Sequence, residues 1–391
     1  MSRLSQLHKY GQSFWLDGLS RAMLEDGSLQ QRIAQQRLGG VAANAAVYLA
    51  NISDSPMYQA RILDGWERGG SAESIYRDLV IEDVAAACDL LSPVYLASKG
   101  EEGYASLQIS PHLARDPSGS LQQAQELWGL VDRPNLLIEL PATSECMPTI
   151  EELLYRGINV NITLLFGLQD YWDAFHAYMR ALERRFAEGK SLNEVISVAS
   201  FFLHRIDLAV DRQLEKLSEE GAASKAGDVA AALLGRTAVA NAKLAYASCL
   251  ALLSSDRWNR LESHGARPQR IAWADTAADT RADKGTDKDA GDSVAADVRY
   301  VEPLIGPLTI SRMAAATAEG FADHGTPAAT IEEGRDDARW VIKEFDQLGI
   351  DFNRITAGLV DQGVRDFTEQ YDRMLAQLQG GGWRQDSGLF G

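Results

Sequence analysis

The chain has 391 residues, of which 46% are apolar, 24% charged and 8% aromatic, a composition that builds a sizeable folded core and excludes collagen-like and low-complexity classes. With 38 basic against 55 acidic residues the formal charge is −17, which leaves no basic stripe for nucleic acid. The three cysteines, Cys88, Cys146 and Cys249, are far apart and odd in number, so they build neither a disulfide framework nor a CxxC metal knuckle.

In chain order, short apolar runs bounded by turn residues fall at 13–16, 40–43, 104–109, 135–140, 159–165, 195–202, 270–274 and 300–305. Segments of helical periodicity separate them, the pattern of repeated βα units and a parallel sheet. Eight such runs predict a closed (β/α)8 barrel in one domain over 1–380. Residues 169–185 and 228–253 read as amphipathic core-facing helices, and Pro141, Gly157 and Gly167 as punctuation at element ends. The stretch from about 313 to 378 is helical almost throughout and would extend the outer ring or cap the barrel. Residues 275–297 hold seven Asp and three basic residues and read as an acidic, solvated loop. The end, 381–391, reads as a flexible tail whose Trp383 and Phe390 are free to dock. No apolar stretch of about 18 residues and no leader-like N-terminal run occurs, so no membrane partner and a cytoplasmic location are expected.

In a barrel of this type catalytic groups project from the carboxyl ends of the strands, so polar residues that interrupt the runs there are the informative ones. They are Asp17, Asn44, Gln108, Glu139, Asn161, Thr163, Ser200, Arg205 and Asp275. Strand parity places Leu137 and Glu139 on one face of LLIEL and Leu136, Ile138 and Leu140 on the other, under the helices, so Glu139 points to the axis. Carboxylates are rarely buried without a partner or a task, which singles out Asp17 and Glu139. Asn161, Thr163 and Ser200 serve equally well as packing or backbone partners, Asp275 reads as a surface charge, and Arg205 as an ordinary ion-pair residue. The six histidines, His8, His112, His176, His204, His264 and His324, show no zinc spacing, and GxGxxG, GxxxxGK[ST] and GxSxG are absent. No cofactor motif is present.

The segments FWLDGLSR, GVAANAAVY, PNLLIELPAT, GINVNITLLFGLQDY, SVASFFLHRID and YVEPLIGPLTI, in this order and spacing, resemble the transaldolase family in its bacterial pentose-phosphate form over roughly residues 7–378. The resemblance implies an (α/β)8 barrel that forms a Schiff base between a fourth-strand lysine and a ketose phosphate, splits the sugar, and passes a dihydroxyacetone unit to an aldehyde phosphate. It implies that Asp17 is the acid/base and that Asn44, Asn161, Thr163, Ser200, the aromatic Phe202 and the phosphate-binding Arg205 line the substrate site.

Three departures fall on the chemistry. The family's IKVPAT or IKLPAT reads IELPAT, which puts Glu139 at the Schiff-base lysine; the glutamate of SLEVS is Gln108; and WASTGTK reads WADTAAD, with Asp275 and Asp279 where phosphate is held. A carboxylate cannot condense with a carbonyl to make an iminium. All nine lysines lie outside the predicted strands, and Lys284 and Lys288 in the acidic loop are the only stand-ins. Acidic residues on the seventh strand make phosphate unwelcome.

If the family geometry holds, Asp17 and Glu139 face each other, one keeping a proton as acid while the other acts as base. That predicts an enzyme of proton transfers (isomerisation, elimination, cyclisation or aldol-type condensation) on a small polar, non-phosphorylated molecule, in a specialised pathway such as natural-product assembly. A variant has Asp17, Glu139, Gln108 and Asp275 collecting Mg²⁺ or Mn²⁺. The competing class is a catalytically silent barrel that binds a metabolite or protein; in either case a monomer or homodimer is expected. Glu139 paired to a base under a plugged mouth would favour that class, and an open polar pocket the enzyme.

Overall fold

The computed structural model describes residues 2–52, 56–221, 224–277 and 296–380. Eight parallel strands close into a barrel in sequence order: β1 Gln12–Asp17, β2 Leu38–Ala43, β3 Tyr104–Gln108, β4 Leu136–Pro141, β5 Val160–Leu165, β6 Ser197–Phe202, β7 Arg270–Ala274 and β8 Thr309–Met313. Helices alternate with them around the outside, as the (β/α)8 pattern predicts.

Seven strands coincide with the predicted runs to within a few residues. The eighth does not. The run 300–305 holds a single 3-10 turn at Glu302–Leu304, and the strand begins four residues later. Pro303 lacks the N–H that a doubly paired ladder needs, and Gly306–Pro307 turns the chain before TISRM enters the barrel. The predicted helix 228–253 is also two helices, Lys225–Leu233 and Thr237–Leu253, parted at Gly235, whose N–H donates to Asp211. The acidic loop lies almost wholly outside the described residues, with Asp279, Lys284 and Lys288, as does the tail with Trp383 and Phe390.

The apolar residues form two layers. The larger lies between strands and helices. The smaller fills the barrel interior with Trp15, Tyr104, Leu137, Val198, Ala272 and Ile310, one from each of six strands. Trp15 and Tyr104 stack with ring centroids 6.3 Å apart, and a Cβ on Gly40 would stand 2.6 Å from the indole, so this plug requires glycine on β2. Beyond the plug, toward the carboxyl ends, the inward positions turn polar. Asp17, Ser106, Glu139, Ser200 and Arg312 each stand two residues after a plug residue, the spacing that returns a side chain to the same face.

The C-terminal residues cap the barrel. Helix Phe352–Gly380 crosses the carboxyl-terminal face, held by Arg115 to Asp361, Arg205 to Asp366 at 2.9 Å, and Tyr371 against Tyr76 and His112. Gly363 is where it meets β5: a Cβ there would come 2.7 Å from Leu164, whose φ of +61° is a left-handed conformation that a leucine seldom adopts. No single helix among the described residues is long and apolar enough to cross a membrane.

Candidate active site

Glu139 points to the barrel axis, as its parity requires, and is 2% exposed. Its Oε2 accepts three hydrogen bonds: from Ser106 Oγ on β3 (3.0 Å), Asn161 Nδ2 on β5 (2.9 Å) and Arg312 Nη1 on β8 (3.2 Å). Asn161 Nδ2 also donates to Ser106 Oγ, and Ser200 Oγ donates to Asn161 Oδ1 at 2.8 Å. Five strands, β3, β4, β5, β6 and β8, thus share one buried network.

Arg312 overturns the expectation of a proton-sharing carboxylate pair. Its Nη2 donates to Asp17 Oδ1 at 2.9 Å while Nη1 reaches Glu139, so a guanidinium stands between the two acids. The premise for a shared proton, two carboxylates facing each other without a cation, is absent. Burial works against the charge of Arg312, but Asp17 and then Glu139 more than offset it and hold its pKa above the ordinary arginine value. The two acids differ in access: the Asp17 side chain is 26% exposed and that of Glu139 2%. Asp17 is the carboxylate that an entering molecule meets.

Asn44 supports Asp17 from β2. Its Oδ1 accepts from Val47 N and caps helix Ala45–Asn51, and its Nδ2 donates to Asp17 at 3.4 Å. Thr163, two residues after Asn161, is fully buried with its Oγ1 unpartnered, and Arg312 Nε is likewise buried and unpartnered. Gln108 stands in register with Glu139 on β3, yet makes no bond to it. It lines a cavity of roughly 240 Å³ with Glu73, Tyr76, Gln123 and Tyr371, between the barrel rim and the C-terminal helix.

Asp275 is half-buried at the rim, which corrects its reading as a surface charge. Its Oδ2 accepts from Arg205 N at 3.0 Å and lies 3.8 Å from Arg205 Nε, while Arg205 Nη1 donates to Asp366 of the C-terminal helix. Burial raises the Asp275 pKa against the opposing charge of Arg205. Phe202 is buried between Phe166 and Phe367, with the Arg205 guanidinium 5.9 Å from its ring centre. The two aspartates therefore hold the arginine that the resemblance assigns to phosphate.

The barrel interior holds no lysine among the described residues: Lys9, Lys99, Lys190, Lys216, Lys225, Lys243 and Lys343 all sit on outer helices or loops. No group of three or more His, Cys, Asp or Glu among the described residues is placed to hold a metal ion, and the space between Asp17 and Glu139 is filled by the guanidinium. Sequence reasoning missed Arg312, Ser106 and Asp366. The signal for the first was an arginine inside the short run TISRM, directly after Gly-Pro-Leu.

A family model described as transaldolase/fructose-6-phosphate aldolase matches residues 14–378. Among curated relatives, a protein named transaldolase from Thiobacillus denitrificans is 39% identical over 378 residues, covering 97% of this chain and all of its own length. One named transaldolase from Thermobifida fusca is 38% identical, with 96% and 97% of the two chains covered, and one named transaldolase 2 from Nostoc sp. PCC 7120 is 34% identical, with 97% of each covered.

Proposed function

The chain belongs to the transaldolase/fructose-6-phosphate aldolase family, and from that premise we propose that it is an enzyme of proton transfer that works without a Schiff base on the fourth strand. The observation that carries this reading is the Arg312 guanidinium bonded to both Asp17 and Glu139. A carboxylate at 139 offers no amine to a carbonyl, and the charge that a bound ketose would need as electron sink is supplied instead by a buried guanidinium. Glu139 anchors Arg312. Asp17, part-exposed, takes the proton from carbon next to a substrate carbonyl, and the electron pair passes to the carbonyl oxygen, facing the unpartnered Arg312 Nε–H and Thr163 hydroxyl. Passage of the neighbouring hydroxyl's proton to that oxygen, and return of the carbon-bound proton from Asp17 to the former carbonyl carbon, leave a new carbonyl on the neighbouring carbon and complete an isomerisation.

The substrate is a small hydroxylated carbonyl compound without phosphate, because Arg205 is engaged by Asp275 and Asp366. Such a compound lies outside sugar-phosphate exchange and suits a specialised pathway. One observation favours a second reading, a silent metabolite-binding barrel: Glu139 is paired to a base and the C-terminal helix lies across the mouth.

Deuterium wash-in from D2O, followed by NMR over a panel of unphosphorylated ketoses and aldoses, tests the proposal. The expected result is exchange at the carbon next to the carbonyl of at least one sugar, slowed about 100-fold or more in Asp17→Asn. Binding without exchange supports the silent barrel, and undiminished exchange in Asp17→Asn removes Asp17 from the chemistry.

A further inference from the structure

The opposite end of the barrel holds a cavity of roughly 900 Å³, a size that suits a drug-sized or nucleotide-sized ligand. It is walled by residues that precede or begin β1, β2, β3, β6, β7 and β8, and so lies below the Trp15–Tyr104 plug, remote from Asp17. Its charge runs against that of the chain. Arg37, Lys99 and Arg267 line it, and none of the three has a carboxylate within ion-pairing distance among the described residues, whereas Arg270 at its back is paired with Glu102 at 3.0 Å. Glu101 and Glu102 line it too, and Arg267 Nη2 donates to Lys99 O at 2.6 Å, but counting Arg270 the wall carries four cations against two carboxylates in a protein of net charge −17.

Arg37 and Lys99 close helices Ser28–Gln36 and Ala72–Ala97 in left-handed backbone, each with φ of +56°, the ordinary geometry of a helix C-terminus. Ile33, Leu38, Val94, Ile196 and Leu308 give the cavity an apolar stretch of wall beside these charges.

We infer that this cavity is a second binding site, for a phosphorylated organic compound of about nucleotide size: Arg37, Lys99 and Arg267 take the phosphate and the apolar wall takes the rest. The site is independent of the chemistry at the mouth. Calorimetric titration at low salt with AMP and with adenosine tests it, on wild type, on Arg37→Asn/Lys99→Asn and on Asp17→Asn. Asparagine tolerates the left-handed backbone, and both replaced side chains are exposed, so the double variant keeps its thermal midpoint. Expected are saturable AMP binding, about tenfold or weaker binding of adenosine, a loss of about tenfold or more in the double variant, and no change in Asp17→Asn. The inference is overturned if AMP fails to saturate by about 1 mM, if the double variant binds equally well, or if Asp17→Asn abolishes binding.

Discussion

Arg312 on the eighth strand spans the barrel to Glu139 on the fourth, Nη1 to Oε2 at 3.2 Å, and in the same pose holds Asp17 on the first. All three sit one inward turn above the apolar plug, where water is largely excluded from Glu139 and Arg312. A charge introduced at 139 is tolerated because its opposite stands across the axis.

Removing the cation exposes that dependence. Arg312→Met leaves two carboxylates without a counter-charge, and about 3–5 kcal/mol of stability is lost, the range for breaking a buried pair. Adding Glu139→Gln to Arg312→Met recovers a good part of the loss, since a neutral amide needs no cation and still accepts from Ser106. Urea unfolding of both variants checks this, and a loss below about 1 kcal/mol in the single variant contradicts the pairing.

A second variant asks whether position 139 has the geometry of the lysine that the resemblance places there. Glu139→Lys alone sets a new ammonium against Arg312 and destabilises the fold by like-charge repulsion. Glu139→Lys combined with Arg312→Ser removes the clash and becomes trappable by borohydride with dihydroxyacetone. Failure of a folded double variant to trap any adduct argues that the substrate no longer reaches that position.

Much of this was legible from the strands. Parity alone sends Glu139 to the axis, and the apolar runs give seven strands within a few residues. Arg312 escaped because YVEPLI is the more apolar run and TISRM the less, although Pro303, which has no N–H to give a ladder, was a signal in the sequence against the first. Its partnership with Glu139 joins residues 173 apart in sequence, beyond any local pattern. The C-terminal helix was legible as a helix, but that Asp366 would engage Arg205 depends on where the helix crosses the rim.

The pH dependence of stability has a source remote from the mouth. Burial and then the charge of Asp207 push Asp211 up to about 7, from an ordinary value of 3.8, on helix His204–Glu220. Between these values the folded chain holds a proton that the unfolded chain has released, so this contribution is complete below about pH 4 and lost as pH rises through about 7. Asp211→Asn flattens the slope between about pH 5 and pH 8 in urea midpoints. An unchanged slope contradicts the assignment.

The contact of the C-terminal helix with β5 is sensitive to one added side chain. Gly363→Val drives a Cβ to within 2.7 Å of Leu164 and lifts the helix from the rim, at a cost of about 1–3 kcal/mol. Limited proteolysis reads this as faster cleavage after residue 352, while Gly358→Ala, with open space around its Cβ, is cut at the wild-type rate.

The central claim of the proposal is that the native chain, with Glu139 at the position that the resemblance gives to the Schiff-base lysine, forms no iminium. Borohydride reduction of the wild-type protein with fructose 6-phosphate, followed by intact mass and peptide mapping, tests it most directly. The expected spectrum is that of the unmodified chain. A covalent adduct on any lysine of the protein would contradict the account.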